Sequence, residues 1–172
     1  RYMHITKLIL EGFKSYAEKT VLQGFDPSFN SIAGQSGTGK SNIADAIHFV
    51  FGAQKLVRPR NLVYRIGKDR IKSAYVTIIF DNNDKSTSPD TYEKFSEITV
   101  TRKVTTEGTS EYLVNGNHVR RKIVKKLFHS IGLNVASPHF LINRRNSNLL
   151  KPGEILGLLE EASKYCGVTP KE

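Results

Sequence analysis

The chain has no tryptophan, one methionine and one cysteine among its 172 residues. Cys166 has no second cysteine to pair with, which excludes an internal disulfide and any multi-cysteine zinc site, and it points to a reducing compartment. Long apolar runs are also missing. None exceeds three residues, against the roughly 20 that a membrane helix requires. The opening RYMHITKLILEGFK carries no apolar signal block, so a soluble, non-secreted chain is expected. There is no proline-rich linker, no internal repeat and no tail of like charge. The histidines at 4, 48, 118, 129 and 139 show no ligand spacing such as HxxxH, and no Ser/His/Asp set falls on a motif. Metallohydrolase and nucleophilic readings lose their basis.

What is present is ordinary for a single globular unit, with 38% hydrophobic and 24% charged residues. The 26 basic residues outnumber the 16 acidic ones, for a net charge of +10. Such a balance favours phosphate-rich partners: nucleotide, nucleic acid or an anionic surface.

Along the chain, strands are predicted at about 4–10, 19–23 and 29–34, the last being FNSIAG. A helix follows, in which Ile43, Ala46, Ile47 and Val50 form one apolar stripe and Gly52 supplies the stop. Residues 55–72 hold seven basic residues and one acid, interrupted by Pro59 and Gly67, and read as an exposed irregular connection. From 73 to 114 the period changes to two, with Ile98, Val100 and Val104 on one face, as in an antiparallel meander. After the turn signal Asn115-Gly116, a basic helix is predicted around 119–131, with Ile123, Val124, Leu127, Phe128 and Ile131 inward and Gly132 as its stop. A short strand at 139–142 and a helix at about 152–164, with Pro152 in its first turn, complete the reading.

The segment GQSGTGKS at 34–41 fits the pattern GxxxxGK[ST], and it lies between a predicted strand and a predicted helix. Glycines at 34, 37 and 39 let successive amides point into one hollow at the positive end of the helix dipole. Lys40 would reach the β and γ phosphates, and the Ser41 hydroxyl is a candidate Mg²⁺ ligand. A glycine-rich helix start with a capping serine is the plainer reading of the same string. Asp81, ending the apolar strand VTIIFD, could be a second magnesium ligand, although Asp before a turn is common. The basic clusters Lys55–Lys72 and Arg120–Lys126 could hold a nucleic-acid backbone, or could be solvated surface.

GFKSY at 12–16, the P-loop segment at 29–52 and VRPRNLVYRIG at 57–67 resemble, in order and spacing, the N-terminal head of SMC ATPases. FDNNDKSTSP, EITVTRKV, EYLVNG and NVASPHFLI are similar to eukaryotic condensin-like members. The resemblance implies an α/β ABC-type P-loop ATPase lobe: a mixed or antiparallel sheet packed on the P-loop helix, with C-terminal helices leading toward a coiled coil. On that basis residues 1–151 are the lobe, and 152–172 begin the arm or form a tail.

The resemblance also implies site residues. Gly34, Gln35, Ser36, Gly37, Thr38, Gly39, Lys40, Ser41 and Asn42 would hold ATP, with Lys14 and Ser15 on the nucleotide side, Ser41 on Mg²⁺, and Lys40 and Arg58 in catalytic roles. Arg58 matches the family's arginine linked to DNA-stimulated hydrolysis. Two heads would sandwich ATP, each lending a signature loop to the other. The implied partners are a second SMC head, a kleisin, condensin accessory subunits and DNA, in the nucleus on chromosomes, with no membrane. Walker B, the signature loop and the hydrolytic Glu belong to the family's C-terminal half. Arg144 stands where the family has a Mg²⁺-binding Gln, and Ser36 where it usually has Asn. Two rival readings stand beside this one: a self-contained small P-loop NTPase or kinase using Asp81, and a non-hydrolysing DNA or chromatin interaction module.

Overall fold

The computed structural model describes residues 3–26, 35, 37–52, 61–65 and 71–132. Within them lie β1 (Ile5–Glu11), β2 (Thr20–Gln23), α1 (Lys40–Phe51), β3 (Ser73–Asp81), β4 (Glu97–Thr105), β5 (Ser110–Val114), β6 (Asn117–Val119) and α2 (Arg121–Ser130). The strands form one sheet in the order β2-β1-β3-β4-β5-β6, every neighbouring pair antiparallel. The strand expected at 29–34, the strand at 139–142, the helix from Pro152 and most of the 55–72 connection lie outside the described residues.

Side-chain alternation decides which face of the sheet is covered. Leu8, Ile78, Val100 and Val114 stand side by side across four strands, all buried. The next inward row is Leu10, Val76, Arg102 and Tyr112, so a half-buried arginine stands on the core face of the sheet. Its guanidinium lies over the Phe49 ring at 4.5 Å and the Tyr112 ring at 5.1 Å. Nη1 donates to the Phe49 carbonyl at 2.7 Å, and Nε donates to Ser110 Oγ at 3.0 Å. Burial lowers the pKa of Arg102, Tyr112 opposes that shift and Arg121 adds to it; a guanidinium stays cationic all the same.

The core face is covered by α1 and α2. Phe128 of α2 is fully buried, edge-on to Phe51 at 4.6 Å and tilted to Phe80 at 6.2 Å. Such a ring contributes about 1.5–3 kcal/mol by leaving water. The α1 helix ends at Gly52, whose φ of 75° is left-handed and suits glycine. Arg121, the first residue of α2, donates to the Gly52 carbonyl at 2.9 Å. The last turn of α1 thus receives two guanidinium groups, favourable at the negative end of a helix dipole.

Two expectations need correction. The chain does not enter a helix at 119: Asn115 (φ 47°) and Gly116 (φ 79°) make a tight turn, and Asn117–Val119 return as the edge strand β6 before α2 begins at Arg121. Ile123 is not inward but 39% exposed. At about 100° per residue, the stripe of Val124, Leu127, Phe128 and Ile131 is centred roughly 90° away from it. The α1 helix is also enclosed more completely than a single stripe implies, because Ala44, Phe49 and Phe51 are buried as well. No helix among the described residues is long and apolar enough to cross a membrane.

Candidate nucleotide site

The α1 helix starts without a side-chain cap. Its N-cap is Gly39, at φ 88° and ψ 3°, and no acidic residue occupies the first turn. A helix start without a capping side chain leaves outward-pointing amides and a positive dipole end for an anion. The Gly39 carbonyl accepts from the Asn42 and Ile43 amides at 2.9 and 3.2 Å, which tightens the first turn.

The loop closes on itself in front of that turn. Thr38 Oγ1 donates to the Gln35 carbonyl at 2.8 Å, and the Lys40 ammonium donates to the same carbonyl and lies 3.5 Å from Thr38 Oγ1. Lys40 is therefore folded back over the loop it follows, and Ser41 is exposed beside it.

The Gly12–Ala17 turn, which follows β1, lies along the polar side of α1. Asn42 Nδ2 donates to Ser15 Oγ at 2.7 Å, and the Tyr16 hydroxyl donates to the Gly39 carbonyl at 3.4 Å. The Lys14 ammonium pairs with Asp45 Oδ2. Burial raises the Tyr16 pKa. Burial also lowers the His48 pKa, against an opposing pull from Asp45, which favours a neutral imidazole one turn along the helix.

Of the residues the sequence singled out, the structure brings together Lys14, Ser15, Gln35, Gly37, Thr38, Gly39, Lys40, Ser41 and Asn42. Gly34, Ser36, Arg58 and Arg144 lie outside the described residues. Asp81 does not join the group. Gly12 packs against Ser73 at one end of β3, and Asp81 ends that strand eight residues on, about 26 Å away. There its Oδ1 accepts from the Asn83 amide at 2.8 Å, in a turn. Its reading as a magnesium ligand beside this loop is corrected by that position. Among the described residues no group of His, Cys, Asp and Glu could hold a metal by itself.

Two participants were not singled out from sequence, Tyr16 and Asp45. Their signal was an aromatic and a lysine in one glycine-led turn, and polar residues at 42 and 45 on one helix face.

Residues 4–137 match the family described as the RecF/RecN/SMC N terminal domain. The chain belongs to that family. It is 50% identical over 169 residues to structural maintenance of chromosomes protein 2 of Homo sapiens, and 45% identical over the same length to that of Saccharomyces cerevisiae. In both cases 94% of this chain is matched; the chain spans 14% of the length of these relatives. A solved Smc head bound to the C-winged helix domain of ScpA superposes with a TM-score of 0.74 at 30% identity, covering 92% of this chain and 50% of that one. A structure described under the ATP-driven dimerization and DNA stimulated activation of SMC ATPases gives a TM-score of 0.69 at 32% identity, covering 92% and 98%. The fold is that of an SMC ATPase head, and the chain is an N-terminal segment of one. The family is one of nucleotide-binding ATPases.

Proposed function

We propose that this segment is the ATP-binding half of an SMC head that closes on a second head around ATP, as part of a condensin-type machine organising chromosomes in the nucleus. The observation that carries this reading is the uncapped start of α1 behind a closed glycine loop, with Lys40 folded across it.

The residues present fit a triphosphate tail with its magnesium ion. The amides of Gly37, Gly39, Lys40 and Ser41 would face the phosphates, Lys40 would exchange the Gln35 carbonyl for phosphate oxygens, and Ser41 would offer its hydroxyl to Mg²⁺. Gly34, Gln35 and Ser36 complete the loop by motif, and Arg58 would couple DNA to the nucleotide. Bound MgATP supplies the negative charge across which a second head docks. Exposed Arg120, Lys122, Lys125 and Lys126 offer DNA a cationic surface at the α2 end. A kleisin and accessory subunits complete the proposed assembly, in line with the neighbour bound to ScpA.

The test uses the complete head, this segment joined to the C-terminal half of its protein, mixed with a second head. Sedimentation velocity should show association that requires MgATP and that Lys40→Ala abolishes. Association indifferent to MgATP, or none at all, would contradict the reading.

A further inference from the structure

Four consecutive residues of the Gly12–Ala17 turn touch α1 in reverse order along one face. The Phe13 ring meets that of Phe49 at 5.4 Å, Lys14 pairs with Asp45, Ser15 accepts from Asn42, and Tyr16 donates to Gly39. The helix partners at 39, 42, 45 and 49 recur every three or four residues, so they form one stripe from the N-cap to the last turn. The turn is anchored from behind as well: the Lys14 amide donates to the Leu62 carbonyl at 2.7 Å and the Tyr64 amide to the Gly12 carbonyl at 2.6 Å.

Lys14 carries the clearest sign that this arrangement is enforced. It is not glycine, yet it holds φ at 48°, in the left-handed region that side chains disfavour. The pair it makes is largely withdrawn from water, with side-chain exposures of 19% for Lys14 and 16% for Asp45. An ion pair so placed is screened little by salt, and losing either partner strands the other charge.

We infer that Asp45 is a positioning residue of the nucleotide site, drawing Lys14 onto α1 and so splinting the Gly12–Ala17 turn against the helix start that grips phosphate. On this view Lys14 acts through Asp45 rather than as a phosphate ligand, and Ser15 and Tyr16 set the place of Asn42 and Gly39. The inference deepens the nucleotide reading and rests on it.

A double-mutant cycle in the complete head separates the two roles of Lys14. If Lys14 and Asp45 act as one unit, Asp45→Asn and Lys14→Met each weaken MgATP binding by about tenfold, and the double variant is no worse than either single one. If Lys14 binds phosphate directly, Lys14→Met weakens binding while Asp45→Asn leaves it unchanged or tightens it, and the inference is overturned. A second readout needs no nucleotide: amide hydrogen exchange at Gly39–Asn42 should quicken in Asp45→Asn and in Ser15→Ala, while Lys14→Arg stays near the wild type. Unchanged exchange in both variants overturns the splint. Faster exchange in both variants, together with a wild-type head that binds no ATP, would instead sustain the splint and remove the nucleotide reading.

Discussion

Alanine at Gly39 is expected to weaken MgATP binding by the complete head about 30-fold or more, near 2 kcal/mol at 1.4 kcal/mol per decade. Two effects add. At φ 88° a residue with a Cβ pays about 1–2 kcal/mol for the left-handed backbone. The new methyl would also stand 2.9 Å from the Tyr16 hydroxyl oxygen, 3.3 Å from Ser15 Oγ and 3.3 Å from Tyr16 Cζ. Something must shift, whether the Tyr16 side chain, the turn that carries it or the helix start, and each loosens the splint. Adding Tyr16→Phe removes the nearest of those atoms, so the double variant should regain part of the affinity while the backbone strain persists. Gly37→Ala has no atom within 4 Å of its added carbon and should show the conformational component alone. Fluorescence titration with a labelled ATP analogue measures all three variants against the wild type. Equal losses at 37 and 39 would remove the steric half of the argument.

Replacing Arg102 by methionine is expected to destabilise the head by roughly 2–3 kcal/mol, or about 5–10 °C in melting temperature, through lost charged hydrogen bonds and the aromatic sandwich. Methionine keeps a long apolar stem between Phe49 and Tyr112, so the loss reports the guanidinium. The Phe49 carbonyl would keep only the Gly52 amide, at 3.2 Å, as donor, and Ser110 Oγ would lose the Arg102 Nε donor. Arg102→Lys should recover less than half, because an ammonium cannot reach both acceptors while lying flat between two rings. Thermal unfolding followed by circular dichroism provides the comparison, and a methionine variant as stable as the wild type would show that the row position tolerates any long side chain.

Arg102 also shows where sequence reading stops. Positions 98, 100, 102 and 104 share one parity in β4, so alternation alone directs all four inward, and three of them are apolar. What makes an arginine acceptable there is the Phe49 carbonyl, 53 residues earlier in the chain, and no local pattern announces that partner. Lys14 and Asp45 are the same case across 31 residues. By contrast, α1 was legible because its signals are local: glycines before it, an apolar period of 3.6 within it, and Gly52 after it. The meander from β3 to β5 was legible for the same reason, with a period of two. The β6 strand was missed because three residues with one valine carry no period, and its existence depends on the turn that returns it to β5. At the site, the glycines and Lys40 were plain from their spacing, whereas Tyr16 and Asp45 become visible only once the turn is laid along the helix.

The central claim is that the glycine loop and the start of α1 grip a phosphate tail. Calorimetric titration of the complete head with MgATP and, separately, with AMP tests it most directly, since both carry the same base and sugar. MgATP should bind at least about tenfold more tightly, a difference of ~1.4 kcal/mol arising from the added phosphates. Equal affinities, or no binding of either nucleotide, would contradict it.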